Sequence, residues 1–128
     1  MIIVTVLLMQ VGFDLKIKCF EGTEDARLVK SASEHAAQMA AYGVQGHQNW
    51  DRRKAKIQRL MPTLRVEEVC AESWPGQGQL DAAKEMYNSW KQSPGHWAAL
   101  QVEGRYGFAM ALGTNGIWYG CGQIAREK

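Results

Sequence analysis

The chain has 128 residues, a formal net charge of +2 and 46% hydrophobic residues. This length fits one domain that buries about two thirds of its unfolded surface, and the composition is ordinary for a globular protein. So small a charge gives no argument for nucleic acid or for an anionic membrane surface as a partner.

The cysteine count excludes a secreted scaffold held together by several disulfides. Three cysteines allow at most one internal disulfide, and their spacing matches no zinc motif. We interpret them as small buried hydrophobic residues. A Cys70–Cys121 bridge is possible, but the sequence does not show whether their Cα atoms lie close enough.

The first twenty residues combine an apolar run with a short alternating pattern. Residues 1–11 are apolar and β-branched at their start, and residues 15–20 (LKIKCF) alternate in the way typical of a half-buried strand. The run lacks the basic start of a secretory signal and is shorter than the roughly 20 apolar residues of a membrane span. We therefore predict a core strand in residues 1–20, ahead of a remnant export signal or a wrongly assigned start site.

A first helix is predicted between Thr23, which can cap it, and Gly43, which can end it in a left-handed conformation. Its apolar residues recur at helical spacing, at Leu28, Ala32, Ala36 and Met39. His35 lies within this helix. We expect it to be a partly buried histidine that hydrogen-bonds a neighbour.

A second helix is predicted from Arg52 to Leu60, with Asp51 as its cap and Pro62 closing it. It carries five basic residues, which invite a nucleic-acid interpretation: Arg52, Arg53, Lys54, Lys56 and Arg59. No base-stacking aromatic residue is interleaved with them, so we expect a solvated face and no nucleic-acid partner.

A strand, a helix and a hairpin are predicted for the second half of the chain. Residues 65–73 form the strand, which carries three candidate carboxylates, Glu67, Glu68 and Glu72. Residues 79–92 form the helix, with Trp90 on its buried face. An Asn115-Gly116 pair between residues 106–112 and 117–125 predicts a β-hairpin.

Two histidines occupy positions suited to a site. His47 lies on a short loop between the first two helices, where side chains can point into a cleft. His96 follows Pro94, which cannot continue the preceding helix, and Gly95, which supplies a tight backbone. We predict that this corner presents His96.

Four sequence segments, in this order, resemble the CAP superfamily, which comprises cysteine-rich secretory proteins, antigen 5 and pathogenesis-related proteins and is also called the SCP domain. They cover about residues 25–125 and indicate a bacterial-type member. The segments are Ala32-x-x-His35-Ala36-x-x-Met39-Ala40-x-x-Gly43-x-x-x-His47, Ala71-Glu72-Ser73-Trp74, Trp90-x-x-Ser93-Pro94-Gly95-His96, and the hairpin of residues 106–125.

The resemblance implies an α+β fold, a three-layer α-β-α sandwich with a small antiparallel sheet between helical layers, in a single domain. It also implies a cleft with two histidines and two acids, which would be His47, His96 and Glu72, while the second acidic position falls on Ser93. The chain departs from the family at Trp97-Ala98, where members commonly carry Arg and Asn, and in lacking a convincing first helix within residues 1–20. The resemblance points to an extracellular protein, without support from a convincing signal peptide.

Two imidazoles and one carboxylate suit Zn²⁺ with an open fourth position. We therefore predict that His47, His96 and Glu72 bind a divalent cation; the alternative is a hydrogen-bonded cluster that holds the loops over the sheet. The predicted function is a non-catalytic binding module for a cation, small ligand or partner peptide. A metal-assisted hydrolase of peptidase type and a lipid- or sterol-binding protein remain alternatives, and the partner and oligomeric state stay open.

Overall fold

A five-stranded sheet lies between two layers of helices in the computed structural model, which describes residues 1–128. The helices are α1 (Val6–Asp14), α2 (Ala26–Tyr42), α3 (Trp50–Leu60), α4 (Gln79–Lys91) and α5 (Pro94–Leu100), with a 3-10 turn at Lys18–Glu21. The strands are β1 (Ile3–Val4), β2 (Thr23–Glu24), β3 (Leu64–Glu72), β4 (Arg105–Leu112) and β5 (Trp118–Glu127). The predicted α-β-α sandwich is therefore confirmed.

The sheet is built around the C-terminal hairpin and leaves β3 at one edge. The strand order is β1-β4-β5-β3, with each of these pairs antiparallel, while the short β2 runs parallel to β4. The hairpin turn contains Gly116 with a φ of +81°, a conformation that glycine adopts without strain. Because β3 has a neighbour on one side only, side chains near its free edge can line a surface cavity.

Alternating side chains give the sheet two different faces. Val69, Phe108 and Ile124 belong to the larger core, which packs against α1 and α4. The opposite face carries mostly small residues that pack under α2, among them Cys70, Ala109 and Cys121. This face allows α2 to approach the sheet closely.

Helix α2 begins two residues later than predicted. Thr23 is taken up by the sheet, where its N–H donates to the Gly104 carbonyl at 2.8 Å. Asp25 caps the helix instead, accepting a 2.8 Å hydrogen bond from the Arg27 N–H. Gly43 ends the helix with a φ of +67°, as predicted.

The prediction of a core strand over residues 1–20 is wrong for most of that range. Only Ile3–Val4 pairs with β4, and Val6–Asp14 is helical. The periodicity of a short apolar run does not distinguish a strand from a buried helix. Here the contacts with α4 stabilise the helical form. Tyr87 donates a 2.6 Å hydrogen bond to the carbonyl of Leu8.

None of the helices combines the length and the apolar character needed to cross a bilayer.

The corner expected at Pro94 is the start of a helix. Ser93 is the N-cap residue of α5 and Pro94 stands in the first turn, where its missing N–H costs no hydrogen bond. Gly95 is inside this turn without a positive φ. His96 is therefore held by a short helix rather than by a tight glycine turn.

Candidate functional site

His47 and His96 meet at the free edge of β3. His47 comes from the segment between α2 and α3, and His96 from the first turn of α5. Their ring centres lie 6.2 Å apart. Both side chains line one cavity of about 410 Å³, whose wall also includes Trp50, Glu68 and Ala98.

The carboxylate beside His47 is Glu68, not the predicted Glu72. His47 Nδ1 lies 3.0 Å from Glu68 Oε1. Glu72 is exposed, pairs with Tyr119 at the last position of β3 and does not line the cavity. Glu68 and Glu72 are four positions apart along the strand, which is about 13 Å. The structure therefore brings His47 and His96 together but places Glu72 elsewhere.

The alternation of a strand explains this difference. Glu68 and Glu72 have the same parity along β3 and so belong to the same face. The sequence pattern indicates that face but does not indicate which carboxylate the loop carrying His47 will reach. At Ser93, the position of the second family acid, the side chain makes no capping hydrogen bond and does not line the cavity.

Glu68 is fully buried and is held by charged and amide donors. Arg53 donates to both carboxylate oxygens, with Nη2 at 3.0 Å from Oε1, and Gln123 Nε2 donates to Oε2 at 3.0 Å. Burial alone would raise the pKa of Glu68. The hydrogen bonds and charge of Arg53, with the charge of His35 and the Gln123 amide, instead lower this pKa to about 2. Glu68 is thus ionised at neutral pH.

A second group of possible metal ligands lies behind His47. His35, Glu68 and Cys70 each offer one ligand atom, and these atoms lie within 4.8 Å of one another, so the group could hold a metal ion. The sequence predicts a partly buried His35 that hydrogen-bonds a neighbour. It is buried, and its Nε2 lies 2.7 Å from the Gly46 carbonyl oxygen.

Sequence reasoning missed Arg53, Cys70 and Glu68 as members of this cluster. For Cys70 and Glu68 the sequence did contain an indication: they are two positions apart on a predicted strand, so their side chains share one face. Arg53 gave no such signal, because it stood among five basic residues that were interpreted together as a solvated face. Its side chain is in fact only 18% exposed.

The ionisable groups of the cluster influence one another. A hydrogen bond with Cys70, supported by Glu68 and opposed by burial, raises the pKa of His47 to about 9. Hydrogen bonds from Cys121, His35 and His47 outweigh burial and lower the pKa of the Cys70 thiol to about 5. Burial and the nearby charge of His47 lower the pKa of His96. His96 therefore presents a neutral imidazole to the cavity at neutral pH.

Comparison with known proteins supports the fold and leaves the function open. No known family model matches the chain, and no curated protein matches it. An outer surface protein from Borrelia burgdorferi has a similar structure, with a TM-score of 0.65 and 19% sequence identity. The match covers 94% of this chain and 87% of that protein's chain. At this identity, the similarity shows a shared fold alone.

Proposed function

We propose that the protein is a non-catalytic CAP-type binding module whose cleft takes a divalent cation, with Zn²⁺ as the best-fitting ion, through His47 and His96. The observation that carries this proposal is the approach of the two rings, 6.2 Å between centres, on one cavity. That separation leaves room for one ion at about 2.0–2.1 Å from a nitrogen of each ring. Water or a small ligand would complete the coordination.

The contact between Glu68 and His47 suits a supporting role for the carboxylate. Metal-bound histidines usually donate their second ring nitrogen to a carboxylate, which fixes the orientation of the ring. Here Nδ1 of His47 is the nitrogen beside Glu68, so Nε2 is the nitrogen left for the cation. We therefore assign Glu68, in place of Glu72, as the acid that orients the site.

The outer pair of histidines suits a cation better than the group formed by His35, Glu68 and Cys70. In that inner group Glu68 already pairs with the guanidinium of Arg53, and all three side chains are buried. A second cation there would have to displace Arg53 or be repelled by it. Binding at the cavity displaces no guanidinium: His47, with 42% of its side chain exposed, gives up instead the proton that its raised pKa, about 9, keeps on the ring at neutral pH.

The CAP-type assignment has architectural support. The resemblance implies a first helix that the sequence pattern of residues 1–20 did not indicate. Helix α1 lies in this range. The order of helices, edge strand and closing hairpin matches the arrangement that the resemblance implies. We further propose an extracellular location, in keeping with the similarity to an outer surface protein. Isolation of the mature protein from its native host and determination of its N-terminus test this location.

Calorimetric titration with zinc chloride tests the cation site. We expect His47→Ala and His96→Ala to lose at least tenfold in affinity, since each removes one of two protein ligands. Glu68→Gln should weaken binding by about 10- to 100-fold, the usual effect of losing an orienting partner. Glu72→Ala is the matched control, an acidic residue of the same strand, and should bind zinc like the wild type.

Two further outcomes separate this proposal from its alternatives. If both histidine variants bind zinc like the wild type, the cleft is not the metal site. If Cys70→Ala abolishes binding while His96→Ala does not, the inner group is the site instead. Chelator-sensitive cleavage of a peptide library, lost in Glu68→Gln, would replace the non-catalytic assignment with a hydrolase.

A further inference from the structure

We infer that Cys70 and Cys121 are an oxidant-sensitive thiol pair that forms a labile disulfide between the edge strand β3 and β5. The two residues are direct partners in the antiparallel register of these strands. Both are buried and both are free thiols in this structure. The inference does not depend on cation binding, because none of the observations behind it involves a bound ion.

The hydrogen-bonding pattern of the sheet gives this pair the shorter of the two Cα spacings that alternate along an antiparallel ladder. At the hairpin end, the Gly113 N–H donates to the Ile117 carbonyl at 2.8 Å, and in an antiparallel ladder such bonded pairs recur at every second residue. Cys121 therefore directs its backbone groups toward Ala109 of β4, its partner in that register. Toward β3 it can form only a non-hydrogen-bonded pair.

The backbone contacts of Cys70 agree with a non-hydrogen-bonded pairing to Cys121. Its carbonyl oxygen points away from β5 and accepts a 2.9 Å hydrogen bond from Trp90 Nε1. At the other end of β3, the Ser73 N–H donates to the Trp118 carbonyl at 2.9 Å. Ser73 and Cys70 are three residues apart, so if the backbone N–H of Ser73 points toward β5, the backbone groups of Cys70 point away from it. Both observations make Cys70–Cys121 a non-hydrogen-bonded pair.

This pair geometry permits a disulfide and makes it easy to reduce. Non-hydrogen-bonded partners have Cα atoms about 4.5 Å apart, while disulfides span Cα separations of about 4.4–6.8 Å. The pair thus falls at the short limit, where a bond can form but is strained. Strained disulfides have more oxidising potentials and belong to the labile class.

A small oxidant has a short route to the pair. The cavity lined by His47 also reaches Glu68 and Val69, the two residues before Cys70, and Cys70 Sγ lies 3.6 Å from His47 Nδ1. Hydrogen peroxide is a suitable oxidant in size. Cys70 Sγ attacks one peroxide oxygen and the O–O bond breaks, which leaves a sulfenic acid on Cys70; the departing hydroxide takes up the proton held between Cys70 and His47 and leaves as water. Cys121 Sγ then attacks the sulfenic sulfur, and its proton leaves with the second water.

The bridge would change the surroundings of Glu68. In the reduced state Cys70 Sγ and Cys121 Sγ lie 3.5 and 3.4 Å from its two carboxylate oxygens. After oxidation neither sulfur has a proton to donate to Glu68, and the sulfur atoms are turned toward each other. The bridge also ties the edge strand that carries Glu68 covalently to the centre of the sheet.

Peptide mapping under non-reducing conditions tests the inference. The reduced, folded protein is treated with hydrogen peroxide, the remaining thiols are alkylated, and the digest is analysed by mass spectrometry. We expect a linked peptide pair containing Cys70 and Cys121, which disappears on incubation with millimolar reduced glutathione. Amide exchange in β3 should slow several-fold on oxidation and return on reduction, while exchange in α1 stays unchanged.

Cys19 provides the matched control, because it is buried near α1 in the core on the other face of the sheet. Cys19→Ser should form the bridge like the wild type, whereas Cys70→Ser and Cys121→Ser should not. Three results would overturn the inference: oxidation that stops at sulfinic acid on Cys70, links that involve Cys19 instead, and full retention of free thiols in the treated protein. A bridge that survives millimolar glutathione would contradict its labile character.

Discussion

Glu68 is a buried carboxylate that keeps its charge because its neighbours compensate for the loss of water. Arg53 contributes two hydrogen bonds and a full positive charge, and Gln123 contributes one more hydrogen bond. A buried ion pair of this kind often adds little net stability compared with a hydrophobic replacement. Losing one partner is far more costly, because the other charge is left unpaired.

Arg53→Met should therefore destabilise the protein strongly. We expect the free energy of unfolding, measured by urea denaturation, to fall by about 3–5 kcal/mol, the cost of leaving a buried charge without its partner. Arg52→Met removes the neighbouring exposed arginine of the same helix and should change stability by no more than about 0.5 kcal/mol.

A double variant separates the unpaired charge from lost packing. Adding Glu68→Gln to Arg53→Met removes the uncompensated carboxylate and should recover part of the lost stability. Equal losses in Arg53→Met and in the double variant would mean that packing of the arginine side chain, rather than its charge, is what the cluster needs.

At the scale of secondary structure, the close approach of α2 to the sheet depends on a missing side chain. A Cβ on Gly107 would collide with the backbone of Leu28 and Val29 in α2. Backbone atoms of a packed helix cannot rotate away as a side chain can. The position of α2, and with it of the segment that carries His47, therefore relies on this glycine.

Gly107→Ala should destabilise the protein by about 1–3 kcal/mol, the usual cost of overpacking. Gly95→Ala is the control, since a Cβ at Gly95 meets no atom within 4 Å. Because Gly95 lies in the first turn of α5, alanine there should leave stability unchanged or raise it by about 0.5–1 kcal/mol. Urea denaturation measures both. A neutral Gly107→Ala would show that α2 can shift without cost.

For the whole molecule, the ionised Glu68 links stability to pH. Its pKa is lowered from 4.5 to about 2 by folding, so the folded state holds the ionised form more strongly than the unfolded chain does. The resulting stabilisation is complete above pH 4.5 and is lost as the pH falls through this window toward 2.

We expect the free energy of unfolding to decline as the pH falls from 4.5 to about 2, with a flatter profile in Glu68→Gln. That variant should be less stable than the wild type at neutral pH, so the two curves converge in acid. Glu72→Gln controls for the removal of one carboxylate. Urea denaturation at several pH values measures the profiles, and parallel curves for wild type and Glu68→Gln would contradict the prediction.

Local patterns in the sequence were sufficient for α2, α4, β3 and the closing hairpin. Each of these elements depends on residues within a turn or a strand of one another: the helical spacing of apolar residues, the left-handed glycine that ends α2, and the Asn-Gly turn. His47 and His96 became site candidates through their own local positions, on a short loop and directly after Pro94-Gly95. Local patterns did not distinguish α1 from a strand, because an apolar run that is buried in either form has no diagnostic period.

Only the tertiary structure decided which groups surround the two histidines. Glu68 contacts residues 15, 21 and 55 positions away in the chain, and no local period connects such positions. Packing of α3 and the preceding loop against an edge strand brings Arg53 and His47 to Glu68 rather than to Glu72. The pairing of β3 with β5 sets Cys70 opposite Cys121. Side chains so distant in sequence meet only because the buried faces of these elements pack together, which is a property of the whole fold.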